Sequence, residues 1–368
     1  MHSQKKVRYA VIGLGHIAQI AVLPGFKHAS ENSELVALIS DDVEKLSELC
    51  NKYKVAHCWT YEQFDDALSS GAFDAIYIAL PNDMHKQFAI KAAQAGVHVL
   101  CEKPMGITAA DCQAMINAAK RNSVKLMIAY RLHFERTNMT AVHLIQEGRI
   151  GTPRIFNSTF TMQVREGNIR TQSEHGGGPL NDIGIYCINA ARYLFQDEPR
   201  LVVAIAAKSD DPRFSEIEES VSAVMKFPGE KVASFTCSFG AADTGRYEVI
   251  GTEGCISLDP AYDYAAELEY RLNVGDKAER HKTPARDQFA PELLHFSKCI
   301  LENKEPRPSG EEGLNDLRVI EAIRQSVDSG EAVRIKAGSK ASQPDQELVT
   351  EKPGIKKPEL VKVESSSK

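Results

Sequence analysis

Val7-Arg8-Tyr9-Ala10-Val11-Ile12-Gly13-Leu14-Gly15-His16-Ile17-Ala18 packs three structural signals into one short stretch. The mostly apolar run Val7–Ile12 reads as a strand buried on both faces. Gly13-x-Gly15-x-x-Ala18 follows at once and opens a helical pattern over residues 16–28. Glycine at 13 permits a tight turn, glycine at 15 lets the backbone approach a pyrophosphate, and alanine at 18 allows close helix packing. Alone the pattern is weak; between a strand and a helix it points to a dinucleotide.

The same alternation continues outward. Apolar runs at Leu35–Ile39, Ala75–Leu80, Val97–Leu100 and Leu126–Ala129 are separated by helical patterns around 42–53, 84–95 and 109–122. Strand-then-helix repetition builds a doubly wound parallel sheet, so the first part is α/β. After about residue 130 the texture changes. Arg154–Phe160, Leu201–Ala207, Val221–Phe227, Lys231–Phe239, Tyr247–Gly251 and Cys255–Leu258 read as strands of a broad, mainly antiparallel sheet. Helices fit 136–148, 180–195, 288–302 and 311–328. The expected division is a nucleotide-binding domain over 1–129, an α+β substrate and oligomerisation domain over 130–335, and a disordered tail over 336–368 that lacks aromatic residues and hydrophobic period.

Composition bounds the function. The chain has 368 residues, 43% hydrophobic and 26% charged, which suits a soluble globular protein and excludes a fibre or a membrane bundle. With 44 basic and 50 acidic residues the net charge is -6, which argues against nucleic acid as the main ligand. Eight cysteines lie scattered without a Cys-x-x-Cys pair, so neither a zinc site nor a disulfide scaffold is expected. A reducing, cytoplasmic compartment is the corresponding expectation. Tyr9 to Phe26 carries no formal charge, but Gly13, Gly15, His16, Gln19 and Pro24 interrupt it, so no secretory segment or membrane anchor is read there. The histidines show no ligand spacing, and no metal is expected.

An acidic residue at the end of the second strand would mark NAD. Ser40 stands there, with Asp41 and Asp42 following and Lys45 further on. A hydroxyl and a cation suit a 2′-phosphate, which favours NADP over NAD, although the two aspartates blunt the inference. Two more strand ends carry polar motifs: Leu80-Pro81-Asn82-Asp83-Met84-His85 and Glu102-Lys103-Pro104. Ligands of doubly wound sheets bind at this carboxyl edge.

The glycine turn, Pro81-Asn82 and Glu102-Lys103-Pro104, in that order, resemble the glucose–fructose oxidoreductase / inositol dehydrogenase / rhizopine catabolism (Gfo/Idh/MocA) family over residues 6–335. Gly176-Gly177-Gly178-Pro179-Leu180-Asn181-Asp182-Ile183-Gly184-Ile185-Tyr186 resembles the catalytic helix of its glucose–fructose branch, with Tyr186 where inositol dehydrogenase-like members place histidine. The resemblance implies a Rossmann domain followed by an open-faced sheet domain. It places Gly13, Gly15, His16, Ile17, Ser40, Lys45, Tyr61, Leu80, Pro81, Asn82, His85, Glu102, Lys103 and Arg131 near the cofactor. Tyr130, Arg170, Asp182 and Tyr186 fall near the substrate.

Lys103, Asp182 and Tyr186 are the catalytic candidates. Asp182 and Tyr186 share one helical face at i and i+4; the bland alternative makes them a helix-start carboxylate and a core aromatic. Hydride transfer at a hydroxyl-bearing carbon requires a proton to leave or return. A phenol is a poor base at neutral pH unless a cation assists it, and Lys103 would supply that cation. The expected activity is NADP-dependent oxidoreduction of a sugar, either an aldose or a related polyol or keto-sugar, with a cofactor that dissociates. Alternatives are a non-redox sugar enzyme that uses retained nicotinamide transiently, or a nucleotide-sensing regulatory protein. A homodimer or homotetramer through the open sheet face is expected.

Overall fold

The computed structural model describes residues 5–336, 338, 343–363 and 365. Six parallel strands form the first sheet: β1 (Val7–Ile12), β2 (Ser33–Ile39), β3 (His57–Trp59), β4 (Ala75–Ile78), β5 (His98–Glu102) and β6 (Leu126–Ala129). Their spatial order, β3-β2-β1-β4-β5-β6, reverses direction beside β1, so a crevice opens at the carboxyl edge between β1 and β4. The strands β4 and β6 are buried throughout, as their unbroken apolar runs require. Only β3 escaped the sequence pattern. His57-Cys58-Trp59 is a short, polar-flanked edge strand with no apolar run to announce it.

Nine strands form the second sheet: β7 (Pro153–Thr161), β8 (Leu201–Ala207), β9 (Ser220–Phe227), β10 (Lys231–Ser238), β11 (Thr244–Gly251), β12 (Gly254–Leu258), β13 (Leu268–Val274), β14 (Lys277–Thr283) and β15 (Val333–Arg334). The order is β14-β13-β12-β11-β7-β10-β9-β8-β15, antiparallel except for the β7–β10 pair. The β13–β14 hairpin was not legible in the sequence. Edge strand β14 is almost wholly exposed, so Lys277-Ala278-Glu279-Arg280-His281-Lys282 has no apolar face to show.

Helices Leu180–Phe195 and Gly310–Ser329 cover one face of this sheet. They are joined by a buried charge network. The fully buried guanidinium of Arg192 meets Asp316 at 2.5 Å, Glu198 at 2.6 Å and Glu312 at 2.9 Å. Asn189 adds bonds to Glu312 and Asp316 at 3.0 and 2.9 Å. Burial, opposed by Arg192, pushes the Glu312 carboxyl up to about 7.

Three expectations change. The helix Ala290–Leu301, read as part of the second domain, packs against the first sheet: Tyr9 and Ser297 hydroxyls meet at 2.8 Å beside Phe296 and Leu293. That face of β1 and β2 would otherwise expose apolar side chains, so a late helix returns to cover it. Cys50 and Cys58 form a disulfide that ties the helix Val43–Tyr53 to β3, which removes the cysteine argument for a reducing compartment. The stretch 336–368 is not a free tail over its described part: Leu348 is buried in the first-domain core and Pro353 bridges to Arg286. Residues 337, 339–342, 364 and 366–368 lie outside the described residues. No helix among the described residues is long and apolar enough to cross a membrane.

Arg192→Met removes the guanidinium from the fully buried Glu312 and Asp316 and the partly buried Glu198. Leaving such charges uncompensated costs about 3–5 kcal/mol, so the midpoint of urea unfolding should fall well below wild type. Glu48→Gln, exposed on the helix Val43–Tyr53 far from this network in the sequence, serves as the control and should leave it unchanged.

Candidate active site

The glycine turn is built as its sequence requires. Gly13 has φ 88°, and a Cβ there would lie 2.5 Å from the Ala79 carbonyl oxygen at the end of β4. Only glycine fits between the two strand ends. A Cβ at Gly15 would meet nothing within 4 Å, so the backbone there is open to a phosphate. These two features fit a dinucleotide, with the pyrophosphate on the turn that begins the helical segment Ala18–His28.

The ribose end is more crowded. Ser40 is buried, and its hydroxyl accepts the Asp42 amide at 3.3 Å. Asp42 caps the helix Val43–Tyr53 through the Lys45 amide at 3.0 Å and pairs with the Lys45 ammonium at 3.3 Å. That backbone bond, with the Lys45 charge, holds its carboxyl below the usual range despite desolvation. Tyr61 packs edge-on against Phe88, and burial near Asp41 raises its pKa. Ile17 and Pro81 are half-buried beside the turn, and Leu80 is buried.

At the other strand ends the motifs converge. The Lys103–Pro104 peptide is cis. Lys103 donates to the Asp182 carbonyl at 2.8 Å and to its carboxylate at 3.1 Å. Arg170 holds the second carboxylate oxygen at 2.8 Å. Burial opposes ionisation of both Lys103 and Asp182, yet Lys103 is raised above its ordinary value by Asp182, Tyr186 and Glu102. Asp182, in turn, is held well below the carboxylate range by Lys103 and Arg170. The Lys103 ammonium lies 4.9 Å from the centre of the Tyr186 ring, and Arg131 stands 4.9 Å from the same ring. Arg131 donates to the Tyr186 hydroxyl at 3.2 Å, leaving that hydroxyl its own proton to give. An ammonium has three donors; Asp182 takes two of those of Lys103, and among the described residues the third has no acceptor.

The glycine run brings Asp182 here. Gly177 passes so close to the loop before it that a Cβ would lie 2.4 Å from the Arg170 carbonyl oxygen. Leu180–Gly184 is a wide π-helical turn leading into the α-helix Ile185–Phe195. Asn82 donates to the Gly176 carbonyl at 2.9 Å, stitching the end of β4 to this loop.

Several sequence-assigned residues sit behind the cleft. His85 is fully buried, its ring nitrogens 2.9 Å from the Leu80 and Pro104 carbonyls, so it locks two strand-end turns together. Burial lowers its pKa against those carbonyls. Glu102 accepts from Tyr77 at 2.8 Å in the sheet interior, and burial raises its carboxyl. Tyr130, assigned to substrate, is buried beside Asp316 and stacked on His133. The guanidinium of Arg131, assigned to cofactor, is occupied by Gln288 and the Tyr262 carbonyl, both at 2.5 Å, and by Tyr186. Gln288 and Tyr262 went unmarked because each lies in a distant element with no motif around it.

Comparison with known proteins shows the family. The profile "Oxidoreductase family, NAD-binding Rossmann fold" matches residues 7–130, and the "GFO/IDH/MocA C-terminal domain" profile matches residues 138–257. The chain belongs to the Gfo/Idh/MocA oxidoreductase family. It is 32% identical to a D-xylose 1-dehydrogenase [NADP(+)] of Haloarcula marismortui, over 89% of this chain and 93% of that protein. It is also similar to the crystal structure of an aldose-aldose oxidoreductase from Caulobacter crescentus, complexed with glycerol. That likeness has 38% identity and a TM-score of 0.86, covering 90% of this chain and 100% of the other. A 3-ketoreductase from Actinomadura kijaniata, solved with NADP and TDP-benzene, is 26% identical with a TM-score of 0.80, covering 88% and 98%.

The depressed Asp182 carboxyl has a stability consequence with a definite sign. Its ion pairs contribute fully above the ordinary aspartate value of ~3.9 and are lost as pH falls toward the lower folded value. Asp182→Asn should therefore be less stable than wild type at neutral pH. Urea titrations at falling pH should show that gap closing in acid; a gap independent of pH would contradict the assignment.

Proposed function

We propose that the chain is an NADP-dependent oxidoreductase that transfers a hydride between nicotinamide and a sugar carbon, in an aldose or a related polyol or keto-sugar. One observation carries the reading: a lysine at the end of β5, paired with Asp182, stands over Tyr186 in the crevice beside the glycine turn. The D-xylose 1-dehydrogenase [NADP(+)] and the aldose-aldose oxidoreductase support the substrate class, and the former, with the NADP-bound 3-ketoreductase, the cofactor.

Bound NADP supplies or accepts the hydride. Gly13, Gly15, His16 and Ile17 would hold its pyrophosphate, and Ser40 with Lys45 its 2′-phosphate. The free donor of Lys103 would hydrogen-bond the reacting oxygen of the sugar. Tyr186 would give or take the proton there, with Lys103 and Arg131 on its ring and hydroxyl stabilising the charge that develops. Asp182 positions Lys103, and Arg170 completes the polar wall.

Reduction of NADP on incubation with a panel of aldoses tests the reading; cleavage of a glycoside without net reduction would favour a non-redox relative. Tyr186→Phe keeps the ring and removes only the hydroxyl. Its turnover should fall about 100-fold or more with cofactor affinity nearly unchanged. Lys103→Met should do comparable damage, and the double variant little more, because the groups act as a unit. Near-full turnover in Tyr186→Phe would make Tyr186 a core residue.

The open face of the second sheet supports a further element, self-association. Ile155, Val203, Ile205, Val224 and Val232 are 40–70% exposed on it. The register sets Val203 opposite Val224 and Val232 opposite Ile155, so they form one apolar patch. Arg246, Glu248, Glu269 and Arg271 line the same groove of about 820 Å³. Mixed charge beside an apolar patch suits a two-fold contact with a second copy. Light scattering should show a dimer or tetramer, and Ile205→Lys with Val224→Lys should shift it toward monomer; a monomeric wild type would contradict the assembly.

A further inference from the structure

The described stretch at the C-terminus runs back across the nucleotide-binding domain. The Asp287 amide donates to the Lys352 carbonyl at 3.2 Å, and Leu348 is buried against the first core. Further on, the chain reaches the glycine turn itself. Gln19, 2% exposed and hydrogen-bonded by its amide to the Gly15 carbonyl, turns its side chain to the backbone of Val361. It donates to the Val361 carbonyl at 3.0 Å and accepts the Val361 amide at 2.8 Å, while also donating to the Leu14 carbonyl at 2.9 Å. Without that segment the carboxamide oxygen of Gln19 would lose its Val361 partner, and its nitrogen would keep only the Leu14 carbonyl. On the far side, Lys52 donates to the Glu359 carbonyl at 2.7 Å, and Lys362 pairs with Glu44. Both partners lie on the helix that Asp42 caps at the ribose end.

The segment thus spans from the pyrophosphate turn to the ribose edge. Between Ile355 and Lys362 it carries Lys356, Lys357 and Lys362 against a single Glu359, in a chain whose net charge is -6. The charge of Lys357 is felt at His16, in the turn, and that of Lys362 at Asp42.

We propose that Ile355–Lys362 is a strap that closes the nucleotide site, with Lys357 and Lys362 facing the phosphates of the cofactor, so that NADP leaves slowly. The inference rests on the NADP reading above. Gln19 is the anchoring residue: it fastens the strap to the turn and need not touch the cofactor.

Release of NADPH, followed by its fluorescence after mixing with excess NADP, tests this directly. A chain ending at Gly354 keeps Leu348 and Pro353 and should release NADPH about tenfold faster, roughly 1.4 kcal/mol off the barrier to release. Lys357→Ala with Lys362→Ala in the full chain should accelerate release several-fold and weaken its dependence on salt. Should the shortened chain misfold, the double lysine variant decides. Release rates within twofold of wild type in that variant and in any folded shortened chain overturn the strap. Failure of the full chain to bind NADPH at all overturns instead the cofactor reading on which it rests.

Discussion

The pair between Lys103 and Asp182 is the constraint around which the rest is arranged. One partner ends a strand of the parallel sheet; the other begins a helix of the second sheet domain. Neither charge is stable in this partly desolvated crevice by itself, since burial opposes the ionised form of both. Bound together, with Arg170 on the remaining carboxylate oxygen, they stay charged and fix the distance between the two domains' edges. Tyr186, one helical turn on, is thereby set beneath the ammonium, its aromatic contacts being Phe160 and Tyr262.

Behind that pair lies a supporting layer that contributes rigidity rather than chemistry. His85 ties together the turns after β4 and before Pro104, Arg131 is clamped by Gln288 and Tyr262, and Arg192 anchors the far end of the Tyr186 helix. Each is buried and polar, so each is costly unless its partners are in place. A site held this way keeps its donors oriented before substrate arrives, the condition under which electrostatic stabilisation is effective.

The two faces of the molecule's sheets are treated differently. Both faces of the parallel sheet are closed, one of them by the late helix Ala290–Leu301. The large second sheet leaves an apolar face bare, and the C-terminal stretch goes to the nucleotide turn rather than to that face. The chain therefore has surplus segment at one site and an unmet burial requirement at another, the one that the proposed self-association would meet.

Local patterns in the sequence determined most of the parallel sheet and the glycine turn, because buried strands need consecutive apolar residues and tight turns need glycine, and motif resemblance marked the proposed catalytic trio. Gly13, Lys103, Asp182 and Tyr186 each sit inside a motif whose chemistry is readable over a few residues. Tertiary structure alone decided what depends on contacts between distant positions. Edge strands β3 and β14 carry no apolar signal. Cys50 and Cys58 become partners only when a helix end meets an edge strand. Tyr130 and Arg131 face inward because Asp316, Gln288 and Tyr262 are there to receive them. The C-terminal stretch, polar and without period, reads as disorder until a buried Gln19 more than three hundred residues earlier supplies its docking point. Periodicity reports what a segment buries of its own; it is silent on a segment held by the unsatisfied groups of another.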